Sequence, residues 1–120
     1  QGATREAFEE SGLEVEVIAP PDLLVVDSPA VVPPPAVILI EDIVRPDQPF
    51  HQHIDHVYFT RSLHQVDFAH PIPHGPSHWL TAEELAESFS LPAPDGTLVP
   101  VAEDVRLLGL RALIAARQEP

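Results

Sequence analysis

Apolar and acidic residues alternate over residues 13–18, where leucine and valine at odd positions are separated by glutamates. A period of two is typical of a half-buried β-strand, so we predict a strand over 13–18. Short runs rich in valine, isoleucine and leucine predict two more strands, over 23–27 and 36–43, separated by a proline cluster. The β-branched and aromatic residues of 53–60 predict a fourth strand.

Three segments carry helix signals. Residues 2–11 end at Gly12, which stands where a left-handed helix cap is expected. Thr81 and Glu84 have the spacing of a capping box, which predicts a short helix over 82–88. Apolar residues at helical spacing, with acidic residues in the first turn and arginine toward the end, predict a helix over 102–117. The proline-rich segment 67–77 between these elements predicts a long loop.

The composition favours one compact domain. The chain has 120 residues, 44% of them hydrophobic, which suits a single core. Nineteen acidic residues against six basic ones give a formal charge of −13. Tight binding to nucleic acid needs Lys and Arg against phosphates, so this charge argues against it. If the protein handles phosphates, we expect a divalent cation to mediate the contact.

The absence of cysteine excludes disulfides, thiolate zinc sites and thiol nucleophiles. Prolines at 33–35 interrupt the longest apolar run, which leaves no stretch of the roughly 20 residues that a membrane span needs. We find no targeting segment and expect a cytoplasmic protein without membrane association.

The segment Arg5-Glu-Ala-Phe-Glu-Glu-Ser-Gly-Leu13 contains the most specific chemistry of the chain. On a helix, Glu6, Glu9 and Glu10 occupy positions i, i+3 and i+4, so these three side chains, here called the carboxylate triplet, project from one face. Like charges at this spacing repel one another unless a cation binds, and carboxylate oxygens suit Mg²⁺ or Mn²⁺. The alternative interpretation is an acidic, solvated helix face that ends at a glycine.

The same nine residues resemble the second half of the Nudix box, R-E-U-x-E-E-x-G-U with U apolar, at every specified position. The resemblance to the Nudix hydrolase family implies an α/β fold, namely a Nudix-like α/β/α sandwich with a mixed sheet. The first half of the box is absent from this chain. We therefore expect residues 1–120 to form a single Nudix-like domain that is N-terminally incomplete, with its N-terminal strands missing.

The resemblance also implies a function. Family members are divalent-metal-dependent pyrophosphohydrolases that cleave a nucleoside diphosphate linked to another moiety. By position, Glu6, Glu9 and Glu10 would be metal ligands for Mg²⁺ or Mn²⁺, and Glu6 would also be the catalytic residue that orients or deprotonates the water. Arg5 would form a structural salt bridge. The partner would be a small-molecule nucleotide derivative, and a homodimer is compatible with the family.

Two further residues are candidates for contact with substrate. His56 and Tyr58 face the same way on the predicted strand 53–60, which makes them candidates for lining the substrate pocket, with a packing role as the alternative. The loop before Trp79 has no glutamate of the kind that many relatives use there. Its titratable groups at positions 70–78 are histidines, namely His70, His74 and His78.

Two departures from the family keep a second function open. The missing half of the box and the missing loop glutamate favour a non-catalytic Nudix-like domain that binds a nucleotide or a partner. They also leave open whether residues 1–120 by themselves are active. A sheet without its early strands should have unpaired edges, an exposed apolar surface and low stability.

A third hypothesis rests on His51-Gln-His-Ile-Asp-His56, which resembles the H-x-H-x-D-H motif of metallo-β-lactamase-fold zinc hydrolases. In that fold the motif follows a strand, whereas here apolar and aromatic residues follow the motif and predict the start of a strand. Alternation would then place His51, His53 and Asp55 on one face and His56 on the other. Zinc hydrolysis at this segment is therefore the weaker alternative.

The Nudix resemblance makes a prediction about the coding sequence. The full motif, G-x5-E-x7-R-E, requires a glutamate as the fourth residue upstream of Gln1 and a glycine as the tenth. Sequencing the coding DNA upstream of Gln1 tests this requirement. An initiator codon or unrelated residues at those positions would contradict the catalytic interpretation and favour the non-catalytic one.

Overall fold

The computed structural model describes residues 2–69 and 77–118. Within these ranges the chain forms three helices and six short strands. In chain order they are α1 (Gly2–Ser11), β1 (Val15–Val17), β2 (Val37–Ile43), β3 (His51–Val57), β4 (Thr60–Ser62), α2 (Ala82–Ala86), β5 (Ser90–Pro92), β6 (Leu98–Pro100) and α3 (Glu103–Arg117).

The strands form three separate two-stranded sheets, and every pairing among the described residues is antiparallel. β1 pairs with β4, β2 with β3, and β5 with β6. The protein thus combines helices with small antiparallel sheets, which confirms mixed α and β content.

Local side-chain hydrogen bonds fix the N-terminal end of α2. The Thr81 side chain accepts a hydrogen bond from the Glu84 backbone N–H at 3.2 Å, and the Glu84 carboxylate accepts one from the Thr81 N–H at 3.0 Å. This confirms the predicted capping box. The helix ends two residues before the predicted boundary, because Ser88 takes a left-handed φ of 57°.

The single strand predicted over 53–60 is wrong in its boundaries, because the structure contains two strands there. β3 ends at Val57, and Thr60 begins β4 in a different sheet. The carbonyl of Phe59 accepts a hydrogen bond from the Ile18 N–H at 2.8 Å. The chain therefore leaves β2 at Tyr58 and joins β1, and the break redirects the backbone from one sheet to the next.

The strand predicted over 23–27 is also wrong. These residues have no strand partner, and the side chains of Leu24 and Val25 are exposed. β-Branched composition favours a strand only where a neighbouring strand can pair with it. Here the residues follow Pro20 and Pro21, and Leu23 donates its N–H to the Pro20 carbonyl within a turn.

The β5–β6 hairpin was not predicted, although the sequence contains its signal. Pro94-Asp95-Gly96 lies between the two strands, and Gly96 has a φ of 89°, which glycine tolerates. Asp95 accepts hydrogen bonds from the hydroxyl and the N–H of Thr97 at 2.6 and 3.0 Å. The hydroxyl bond is the largest cause that holds the pKa of Asp95 below its ordinary value.

The third helix matches its prediction closely. It has Glu103 and Asp104 in its first turn and Arg117 in its last, as its macrodipole favours. Arg106 donates two hydrogen bonds to the Glu103 carboxylate, at 2.8 and 3.1 Å. This contact lowers the pKa of Glu103 and raises that of Arg106.

The buried core is very small. Among the described residues only Leu85, with 7% of its surface exposed, is a buried hydrophobic side chain. The radius of gyration is 16.7 Å, whereas a compact domain of this length would have about 14 Å. Many large apolar side chains are correspondingly exposed. No helix in the described ranges combines the length and apolar character needed to cross a membrane.

Leu85 packs against Gly109, where α2 meets α3. A Cβ at Gly109 would lie 2.9 Å from Leu85 Cδ1, so the absence of a side chain allows the close approach. In an isolated helix interior, glycine is less favourable than alanine by about 1 kcal/mol. The packing of Leu85 therefore explains why a helix-weakening residue stands in the middle of α3.

We predict that the effect of Gly109→Ala on the free energy of unfolding depends on the side chain at position 85. With Leu85 present, the new methyl group displaces Leu85, which offsets the gain in helix propensity. With Leu85→Val, which removes the Cδ atoms, Gly109→Ala should raise the free energy of unfolding by about 1 kcal/mol. Urea unfolding followed by circular dichroism measures the four variants of this cycle. Equal effects of Gly109→Ala in both backgrounds would contradict the packing account.

Candidate functional site

The carboxylate triplet lies on α1, whose C-terminal end is fixed by local hydrogen bonds. Gly12 has a φ of 76°, and its N–H donates to the Phe8 carbonyl at 2.8 Å. The Ser11 hydroxyl donates to the Ala7 carbonyl and accepts from the Leu13 N–H. The predicted helix and glycine cap are thus confirmed, and the cap directs the chain from α1 into β1.

All three carboxylates are exposed, and they are spaced by one helical turn as predicted. Arg5 Nε lies 3.7 Å from Glu9 Oε1, in an i, i+4 ion pair whose two side chains are both well exposed. Such pairs contribute little to stability, on the order of 0.3–0.5 kcal/mol.

The donor chemistry of the triplet fits a hard divalent cation, since the side chains offer only carboxylate oxygens. The positions of these side chains fit a bound cation less well. Across residues 2–69 and 77–118, no three His, Asp or Glu side chains converge closely enough to hold a metal ion. Glu9 Oε1 is paired with Arg5, so a cation would take the other carboxylate oxygen of Glu9. The triplet thus has the right donors, which would need to reorient or to be joined by another ligand.

The histidine-rich segment forms β3, and its side chains alternate as predicted. His51 and His53 lie on one face, with ring centroids 5.1 Å apart. His56 pairs across the hairpin with Ile38 and lies on the opposite face. The ligands of an H-x-H-x-D-H zinc site therefore do not converge within the described part of the chain.

His56 and Tyr58 no longer belong to one continuous strand, because β3 ends at Val57. His56 is exposed and Tyr58 is half-buried. Strand alternation therefore gives no reason to place both in one pocket. Of the loop histidines, His78 is exposed, and His70 and His74 lie outside the described residues.

A cavity of about 780 Å³ lies beside β1 and β4. Its walls are mainly apolar, with prolines at positions 20, 21, 34 and 35 and the ring of Phe59, and its charged lining residues are Glu16 and Arg61. The volume is within the range of small-molecule pockets, although the cavity is about half open to solvent. We call it the proline-lined cavity. It is lined by none of the six predicted site residues, namely Arg5, Glu6, Glu9, Glu10, His56 and Tyr58.

Arg61 connects this cavity to the rest of the molecule, and sequence reasoning missed it. Its Nη2 donates to the Ala116 carbonyl at 2.8 Å, in the last turn of α3, where a cation is favoured. Its Nη1 lies 4.0 Å from Glu16 Oε1, across the β1–β4 ladder. The partners are 55 residues apart in the chain, so no local pattern could have revealed the contact.

We predict that Arg61→Gln lowers the free energy of unfolding by about 1 kcal/mol, because a charge-assisted hydrogen bond to the end of α3 is lost at a partly exposed position. Arg111→Gln is the matched control, since Arg111 is an exposed arginine on α3 itself. Thermal denaturation of both variants measures the difference. An equal loss in the two would assign the effect to net charge rather than to the contact with Ala116.

Comparison with known proteins does not assign this chain to a family. A scan against known protein families gives no match to this chain. A search of curated proteins likewise gives no significant match.

Proposed function

We propose that this protein is a Nudix-type, divalent-metal-dependent pyrophosphohydrolase that cleaves a nucleoside diphosphate linked to another moiety. The observation that carries the proposal is the segment Arg5–Leu13, which matches the second half of the Nudix box and forms a helix ended by a left-handed glycine. The spacing exposes three carboxylates on one face of that helix. A nucleotide diphosphate is itself anionic, and the protein has a charge of −13, so a cation must offset the repulsion.

The proposed roles follow from position on α1. Glu9 and Glu10 hold the cation, which would be Mg²⁺ or Mn²⁺ and would supply charge neutralisation to the phosphates and activation of a water. Glu6 is a further ligand and orients or deprotonates the attacking water. Arg5 positions Glu9 through the 3.7 Å contact.

We also propose that the fold is a Nudix-like α/β/α sandwich. A Nudix-like α/β/α sandwich has a mixed sheet, whereas the described pairings are antiparallel. The proposed fold therefore requires further strands to complete such a sheet. The exposed apolar faces of β2–β3, with Ile40 66% and Ile54 63% exposed, support the need for additional covering structure.

A second candidate is a non-catalytic Nudix-like domain that binds a nucleotide or a partner. The proline-lined cavity favours it, because the cavity offers an aromatic ring and one arginine without any carboxylate of the triplet. Ligand binding in the presence of Mg²⁺ without release of phosphate or nucleoside monophosphate would distinguish this function from hydrolysis.

We predict that Glu9→Gln and Glu10→Gln each lower the rate of Mg²⁺-dependent hydrolysis by on the order of 100-fold or more, because each removes an anionic ligand while keeping the side-chain volume. The protein is assayed against nucleoside triphosphates, ADP-ribose, nucleotide sugars and dinucleoside polyphosphates. Product nucleotides are separated by chromatography.

The matched control is Glu83→Gln, which removes one exposed carboxylate from α2, away from the triplet. It should leave the rate unchanged. Full activity of both Glu9→Gln and Glu10→Gln would remove α1 from the mechanism. Binding of a nucleotide without turnover by the unmodified protein would favour the second candidate.

A further inference from the structure

The rings of His51 and His53 lie side by side on β3. They are two residues apart on a strand that is paired along its whole length with β2, so their backbones are held on one face. The ring centroids are 5.1 Å apart, and the ring planes are inclined by 60°. These two residues are called the histidine pair below.

The ring of His51 is oriented by the backbone just before the strand. Its Nδ1 lies 3.0 Å from the Pro49 carbonyl oxygen. A carbonyl oxygen can only accept a hydrogen bond, so Nδ1 must carry the hydrogen and Nε2 of the neutral ring has an available lone pair. Metal-bound histidines usually donate their other ring N–H to such a carbonyl, which fixes the tautomer and the ring orientation. His51 already has this arrangement.

The separation of the rings suits a shared ion. With Zn–N bonds of about 2.0–2.1 Å and tetrahedral angles, two imidazoles on one zinc ion have ring centroids about 5 Å apart. The observed centroid separation of 5.1 Å matches this value.

The neighbouring charges on this face are negative. Glu41 lies directly opposite His53 in the hairpin register, and Asp55 follows two residues later on the same face. A carboxylate beside the pair favours a cation, although no third ligand of the described residues converges with the two histidines. Water would complete the coordination.

We propose that His51 and His53 form a binding site for a zinc ion or another divalent transition metal that prefers imidazole nitrogen. The site is separate from the carboxylate triplet, whose oxygen ligands suit Mg²⁺. It differs from the H-x-H-x-D-H zinc hydrolase because it uses two histidines of one face and excludes His56. Bound metal would stabilise the β2–β3 hairpin, because it binds the folded strand and not the unfolded chain.

Isothermal titration with Zn²⁺, in the presence of excess Mg²⁺ to occupy hard oxygen sites, tests the proposal. His51→Gln and His53→Gln should each weaken zinc binding by at least roughly tenfold, since even the loss of an outer partner of a metal-bound imidazole costs about 10–100-fold. His56→Gln is the matched control, because it removes an imidazole from the same strand on the opposite face. It should leave the affinity unchanged.

Nitrogen-15 NMR of the histidine rings gives a second readout. Zinc should shift the resonance of His51 Nε2 and leave His51 Nδ1 protonated. Equal zinc affinity in the unmodified protein and in the His51 and His53 variants would overturn the proposal, as would an equal loss in His56→Gln. The first result would place the zinc on ligands other than the histidine pair, and the second would show that the loss is not specific to one face of β3.

Discussion

The packing of Leu85 against Gly109 is the contact on which the described arrangement of α2 and α3 depends. It is the one place in residues 2–69 and 77–118 where a large apolar side chain is buried, and it exists because Gly109 has no Cβ. Near its C-terminal end α3 accepts the hydrogen bond from Arg61. This helix therefore joins α2 to the β1–β4 sheet, through apolar contact at its middle and a charge-assisted hydrogen bond in its last turn.

This arrangement has a direct consequence for the carboxylate triplet. α1 is connected to the sheet through the Gly12 cap and the short strand β1, and β1 is paired with β4, which carries Arg61. The helix with the proposed metal ligands is thus linked to α3 through a short series of local contacts, and its glutamates are exposed. Because a ligand that binds only the folded state stabilises it by mass action, a cation on α1 would strengthen a region with little buried surface.

Predictions from sequence succeeded where the cause was local. The helix end at Gly12 and the reciprocal hydrogen bonds of Thr81 and Glu84 each depend on residues within one turn of one another. They failed where the outcome depends on a distant partner. Residues 23–27 have strand composition without a strand to pair with, and the chain breaks at Tyr58 because Phe59 is held by Ile18.

The same division applies to the candidate sites. The carboxylate spacing and the alternation of histidines on β3 follow from helix and strand geometry, and both could be predicted. The contact of Arg61 with Ala116 could not, because it joins segments that only the fold brings together. The hydrogen bond of His51 to Pro49 is local, but Pro46 and Asp47 signal only the turn over 45–48 and not the orientation of the Pro49 carbonyl that follows it.

The central claim is that the carboxylate triplet binds a hard divalent cation. NMR relaxation with Mn²⁺ tests it most directly, because this paramagnetic ion broadens the resonances of the groups that it binds. The account predicts that substoichiometric Mn²⁺ broadens the side-chain signals of Glu6, Glu9 and Glu10 first, and that added Mg²⁺ restores them. Sharp α1 signals in the presence of Mn²⁺, or broadening that Mg²⁺ does not reverse, would contradict it.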